Sequence, residues 1–211
     1  MRLTFFCALA VISSAAHARP VTYTGGSMSM TEVNGSTILT QVEHTFRRDL
    51  AVGVYGLSER GGDRLSTGLV VNYLVMRRNT PSSQANAYLM VGAGPSWSRA
   101  SGGRRDPAEA SGWVAAEADW ETRQVFLGGS AKLAAVGGER KTGYRLRAGV
   151  APYVGDMGDI HTWAFLQVGR LAEPGAKTEI TPLVRVFKGP FLAEAGVSHR
   201  GRGFGTLWFY F

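Results

Sequence analysis

The last nine residues, Gly203 to Phe211 (GFGTLWFYF), decide how the chain is read. Small and large side chains alternate, and the run closes on Trp208, Phe209, Tyr210 and Phe211. Chain ends in water fray, so a terminus this apolar is favourable only where it is held and covered. Alternation with a period of two describes a strand. A final strand of this kind suits the closing seam of a sheet wrapped into a cylinder, with aromatic rings at the edge of a hydrocarbon layer.

The other end agrees. Met1-Arg2 is a short positive start, Leu3 to Ile12 (LTFFCALAVI) is an apolar core, and Ser13 to Ala18 (SSAAHA) supplies small residues, with Ala16 and Ala18 at the −3 and −1 positions. That is the pattern of a secretory signal peptide, with cleavage expected before Arg19. The apolar core is too short for a membrane-spanning helix. The single cysteine, Cys7, falls inside it, so residues 19–211 would contain no thiol and no disulfide.

A leader over 1–18 and one domain, a barrel over 19–211, are therefore expected. The formal net charge of the whole chain is +7. Arg and Lys are scattered, with no run longer than two, which together with the export signal argues against nucleic acid. No internal stretch reaches 18 apolar residues. With 28 glycines against 8 prolines and no low-complexity tract, the chain does not read as disordered.

Periodicity gives strands nearly everywhere: 22–32, 37–46, 50–58, 65–77, 85–98, 112–121, 124–136, 143–154, 161–172, 178–187, 191–200 and 203–211. Turn-tolerant residues separate them, such as Asn34-Gly35, Gly61-Gly62-Asp63, Gly137-Gly138-Glu139 and Lys188-Gly189-Pro190. Only Ala100 to Ala110 is long enough to be a real loop. The expected class is all-β, an up-and-down antiparallel transmembrane β-barrel of about twelve strands, ten or eight being the other even counts.

The two faces of these strands differ in chemistry. Tyr144, Leu146, Ala148 and Val150 alternate with Arg145, Arg147, Gly149 and Ala151. Ile180, Pro182, Val184 and Val186 alternate with Glu179, Thr181, Leu183 and Arg185. An apolar face repeated on strand after strand fits lipid outside and a polar interior. That interior would hold Glu43, Glu117, Asp119, Glu179 and Glu194 against Lys132, Arg145, Arg147, Arg185 and Arg200. Buried charges must be paired or hydrated. The expected lumen is thus filled or constricted by an ion-pair network, structural or a narrow path for small solutes.

Other chemistry is sparse, and no cofactor is implied. Ser198 and His199 are neighbours in one expected strand, so their side chains point to opposite faces and do not form a nucleophile–base pair. No catalytic role is expected, a lipid-modifying enzyme being the remote alternative. Met28, Met30 and Glu32 share one face of the first strand, and thioethers suit soft Cu(I). Asp156, Asp159 and His161 lie around one expected turn. Envelope metal binding is therefore the competing function.

The C-terminal run resembles the assembly signal of bacterial outer-membrane β-barrels, which ends in Phe with a second aromatic two residues earlier. Here those are Phe211 and Phe209. The glycine that this pattern has five residues before the end is Thr206 here, with Gly205 one place off. Tyr23 to Glu32, Val150 to Trp163 and Thr181 to Gly189 resemble an uncharacterised group of small proteobacterial exported proteins. The resemblance implies an outer-membrane location, with the barrel-assembly machinery, outer-membrane lipids and lipopolysaccharide as partners and a small solute or metal ion as ligand. It implies no established activity.

Overall fold

Residues that alternate apolar and polar cannot bury both faces against one core, and here they wrap a sheet into a cylinder. The computed structural model describes residues 20–59, 63–99, 105–156, 158–172 and 175–211; the expected leader over 1–18 lies outside them. Twelve strands follow in chain order: β1 (Ser27–Val33), β2 (Thr37–Arg47), β3 (Leu50–Glu59), β4 (Arg64–Asn79), β5 (Ser83–Ser98), β6 (Glu109–Thr122), β7 (Val125–Val136), β8 (Glu139–Val150), β9 (His161–Arg170), β10 (Glu179–Lys188), β11 (Phe191–Val197) and β12 (Gly203–Tyr210). Each pairs antiparallel with its neighbours in sequence, and β1 pairs with β12, so the barrel is closed and has no free edge. Among the described residues there is no helix long and apolar enough to cross a membrane.

The closing seam is built by the aromatic terminus. Ser29 lies opposite Phe209 and Met30 opposite Trp208 across β1 and β12. Phe191 lies opposite Phe209 across β11 and β12. On the outside, the Phe209 ring stacks on Phe191 at 4.6 Å and on Phe211 at 5.5 Å.

The outer face is the apolar one. Leu69, Val91, Leu127, Leu146, Leu166 and Leu207 are all half exposed or more. A water-soluble protein does not surround itself with such a belt. Outward aromatics gather at the end where β1 begins and β12 stops, where Phe46, Trp120, Tyr153, Phe191 and Phe211 are exposed. Turns at this terminal end are mostly short, two or three residues between β2 and β3, β4 and β5, β6 and β7, and β10 and β11. The ten residues between β8 and β9 are the exception there, and the opposite end, the loop end, carries long connections before β6 and before β10.

Several boundaries differ from expectation. The first strand begins at Ser27 and not at 22, because residues 20–22 leave the wall and enter the barrel. There Val21 is fully buried, packed with Ala51, Leu74 and Tyr88. The eighth strand runs over Glu139–Val150 and not 143–154, since the Gly137-Gly138 turn returns the chain at once into the ladder. The eleventh stops at Val197, where Ser198 N–H donates to the Arg202 carbonyl and Gly201 N–H to that of Ser198. Of the expected loop, residues 100–104 lie outside the described ones, and 109–110 already belong to β6.

Candidate functional site

The inward face at the terminal end carries an apolar cluster on each side, with buried Thr45, Asn86 and Glu121 beside the first. Beside β2–β5 the entering segment is held by three contacts. Thr22 N–H donates to Thr45 Oγ1 (3.2 Å), their hydroxyls lie 2.8 Å apart, and Arg77 donates to the Val21 carbonyl (3.4 Å). Beside β7–β12, Ala151, Trp163, Phe165, Leu183, Phe187 and Leu192 form a continuous cluster that runs on to Phe204, with Phe126 and Trp208 against it. The open space lies between these two groups and reaches from Pro20, Glu121, Phe126 and Trp208 to the loop end.

The middle is bridged by charge. The Arg145 guanidinium on β8 grips both oxygens of Glu32 on β1, at 3.0 and 2.7 Å. β1 and β8 stand across the lumen from one another, so this bidentate pair is a strut through the barrel. Nearer the loop end, Lys141 on β8 meets Glu59 on β3 at 3.4 Å, a second crossing. Along the β8–β11 wall, Glu194 accepts from Arg147 (3.1 Å) and Arg185 (2.7 Å), while Arg147 Nε also donates to Gln167 (2.8 Å). The same cations lie over rings: Arg185 over Phe165 at 4.5 Å, Arg145 and Arg147 over Phe204 at 5.5 and 5.4 Å. Guanidinium planes suit this double use of carboxylate and aromatic face.

The opposite wall, β2–β6, is different. Glu43 accepts a short hydrogen bond from Asn72 Nδ2, and Asp119 accepts from Asn86 (2.7 Å), which accepts in turn from Arg77 (2.9 Å). Gly53, between Glu43 and Asn72 on the inner face of β3, makes the first contact feasible. A Cβ there would meet the Val42 carbonyl oxygen at 2.0 Å and Glu43 Cγ at 2.7 Å. Beside this wall, on β7, the Lys132 ammonium lies 4.4 Å above the Trp113 ring.

Two of the spaces between these walls concern the charged residues. The larger, about 280 Å³, is lined by Pro20, by Met28, Met30 and Met90, by Trp113, Phe126 and Trp208, and by charges of both signs. Six carboxylates reach it (Glu32, Glu43, Glu117, Asp119, Glu121, Glu194) against four cations (Lys132, Arg145, Arg147, Arg185). The smaller, about 130 Å³, lies toward the loop end beside Lys132, Arg145, Arg170, Lys177 and Arg202. Arg145 and Lys132 border both. The chain at Leu171 and Ala172 folds inward to line them; a Cβ at Gly143 on β8 would meet the Ala172 nitrogen at 2.6 Å.

The expected inward residues Glu43, Glu117, Asp119, Lys132, Arg145, Arg147, Arg185 and Glu194 do come together on the larger cavity, and Glu179 lines the smaller one, 2.6 Å from Arg202. Arg200 does not. It is exposed in the turn after β11, because the ladder ends three residues earlier. Met28 and Met30 are buried on the cavity wall, but Glu32, grouped with them as a metal ligand, is held at both oxygens by Arg145. Asp156 and Asp159 are exposed, joined by an Asp156 N–H···Oδ2 bond of 2.9 Å, and His161 stacks on Phe187 at 4.5 Å. Among the described residues no three His, Cys, Asp or Glu side chains are grouped to hold a metal. Ser198 Oγ accepts from Arg200 and Arg202 N–H, whereas His199 Nδ1 accepts from Ile180 N–H (3.1 Å), so each serves a turn. Sequence reading missed Glu59, Lys141, Trp113 and the entering segment. Lys141 and Glu59 fall at strand ends next to turns, where alternation carries no face assignment.

No protein-family model matches the chain, and no curated protein matches it. Among solved structures it is similar to the KdgM porin in complex with disordered oligogalacturonate, at 10% identity and a TM-score of 0.49, over 88% of this chain and 98% of that one. It is also similar to the β domain of the Bordetella autotransporter BrkA, at 13% identity and a TM-score of 0.47, over 88% and 97%. A third is OccAB1 of Acinetobacter baumannii, at 8% identity and a TM-score of 0.46, over 82% and 56%.

Proposed function

We propose that this chain is an outer-membrane barrel whose constricted, charged lumen is a narrow path or binding chamber for small solutes. The observation that carries this reading is the Arg145–Glu32 strut, which divides the interior while leaving a cavity of about 280 Å³ beside it. A barrel serving only as a wall has no need of enclosed polar space. Charge separated onto opposing walls orients a polar solute and selects among ions. The half-exposed Leu and Val belt, bounded by aromatics at the terminal end, supports the membrane location.

Planar-bilayer recording tests the path. Small, salt-dependent conductance steps are expected from the purified full chain, and their absence at every salt concentration removes the channel. A heat-modifiability gel on isolated membranes tests the location: the unboiled barrel should migrate differently from the boiled one, and identical migration counts against it.

A further inference from the structure

The larger cavity is electrically unbalanced, and one of its carboxylates lacks a partner on one side. Glu43 is 97% buried by its 3% exposure, lines the cavity, and leaves Oε1 without a hydrogen bond; its neighbour Asn72, 2% exposed, leaves Oδ1 bare in the same way. Two adjacent acceptors that lack donors inside a barrel are costly unless a cation or donor reaches them. The surplus of carboxylates over cations around the space has the same sign. Arg145, Arg147 and Arg185 do not supply the missing charge, being held by Glu32 and Glu194.

The surroundings say what kind of cation fits. Strand register sets Met28 opposite Glu43 and Met90 opposite Asn72, so thioethers flank the acceptor pair on both sides. Trp113 adds a ring to the lining. A bare ion gains nothing from that much apolar cover, and about 280 Å³ is far more room than it fills. A short alkyl chain ending in ammonium uses all of it: N–H groups to Glu43 and Asn72, methylenes against Met28, Met30 and Met90, and charge near the aromatic face. We infer that the luminal cavity binds small aliphatic amines or diamines, with Glu43 and Asn72 as the ammonium receptor, an assignment that rests on reading the lumen as a chamber for solutes.

Isothermal titration of the purified full chain in detergent with putrescine tests it. Saturable binding is expected, weakened at least about tenfold in Glu43→Gln, as loss of a hydrogen bond to a charged group implies. Glu139→Gln, at an exposed position on β8, should bind as wild type does. Where Glu43→Gln gives no heat-modifiable barrel, Asn72→Ala replaces it, with a loss of affinity again expected. Absence of saturable binding, unchanged affinity in the folded Glu43 or Asn72 variant, or binding of silver ion without binding of putrescine overturns the assignment. Conductance without putrescine binding removes the receptor and keeps the channel; putrescine binding without conductance does the reverse.

Discussion

The two walls of the lumen solve the problem of buried charge in opposite ways. On the β8–β11 wall Arg145, Arg147 and Arg185 each have a carboxylate and a ring: Arg145 holds Glu32, Arg147 and Arg185 share Glu194, and Phe126, Phe165 and Phe204 lie against the cations. On the β2–β6 wall acids face acids' amide neighbours, Glu43 with Asn72 and Asp119 with Asn86, and no arginine pairs with Glu43. The first arrangement holds the barrel together. The second keeps capacity in reserve for something that arrives from outside. Removing a partner should therefore be severe on one wall and mild on the other.

Glu194→Ala is the strongest way to break the contrast. It leaves Arg147 and Arg185 buried without their anion, and a loss of about 3–5 kcal/mol is expected in denaturant unfolding from detergent or lipid. Gly53→Ala attacks the acidic wall through its backbone, since the added methyl has no room beside Glu43 and the Val42 carbonyl. About 1–3 kcal/mol of destabilisation is expected in the same assay.

Arg145→Ala cuts the strut between the walls, and single-channel conductance should rise about twofold or more as the constriction widens. A conductance equal to wild type would mean that the path does not pass this pair. Glu43→Gln should shift the unfolding midpoint least, by under about 1 kcal/mol, because no internal cation is stranded by it. A loss as large as that of Glu194→Ala would erase the distinction between the walls.

Much of this was legible in the sequence because a period of two assigns every strand residue to one face. Tyr144, Leu146 and Val150 point out and Arg145 and Arg147 point in, as alternation requires, and twelve strands follow from the turn residues. Alternation fails where the chain leaves the ladder. Val21 to Tyr23 reads like the start of a strand, yet Val21 packs inside against Tyr88, a contact no local pattern encodes. Arg200 sits one turn residue before Gly201, and a turn has no inside face. Partners across the lumen were equally hidden. Arg145 and Glu32 are 113 residues apart, and sequence gives the sign of each charge but not which opposing charge it will face. Glu32 was thus grouped with Met28 and Met30, its neighbours on the strand, when its real neighbour came from the far side.

The tucked stretch over residues 20–22 has a practical corollary for anyone attaching a label. A probe attached at Val21 displaces it from its seat against Ala51, Leu74 and Tyr88. A handle placed at the exposed Gly138 hairpin reaches solvent at the other rim without crossing the bore.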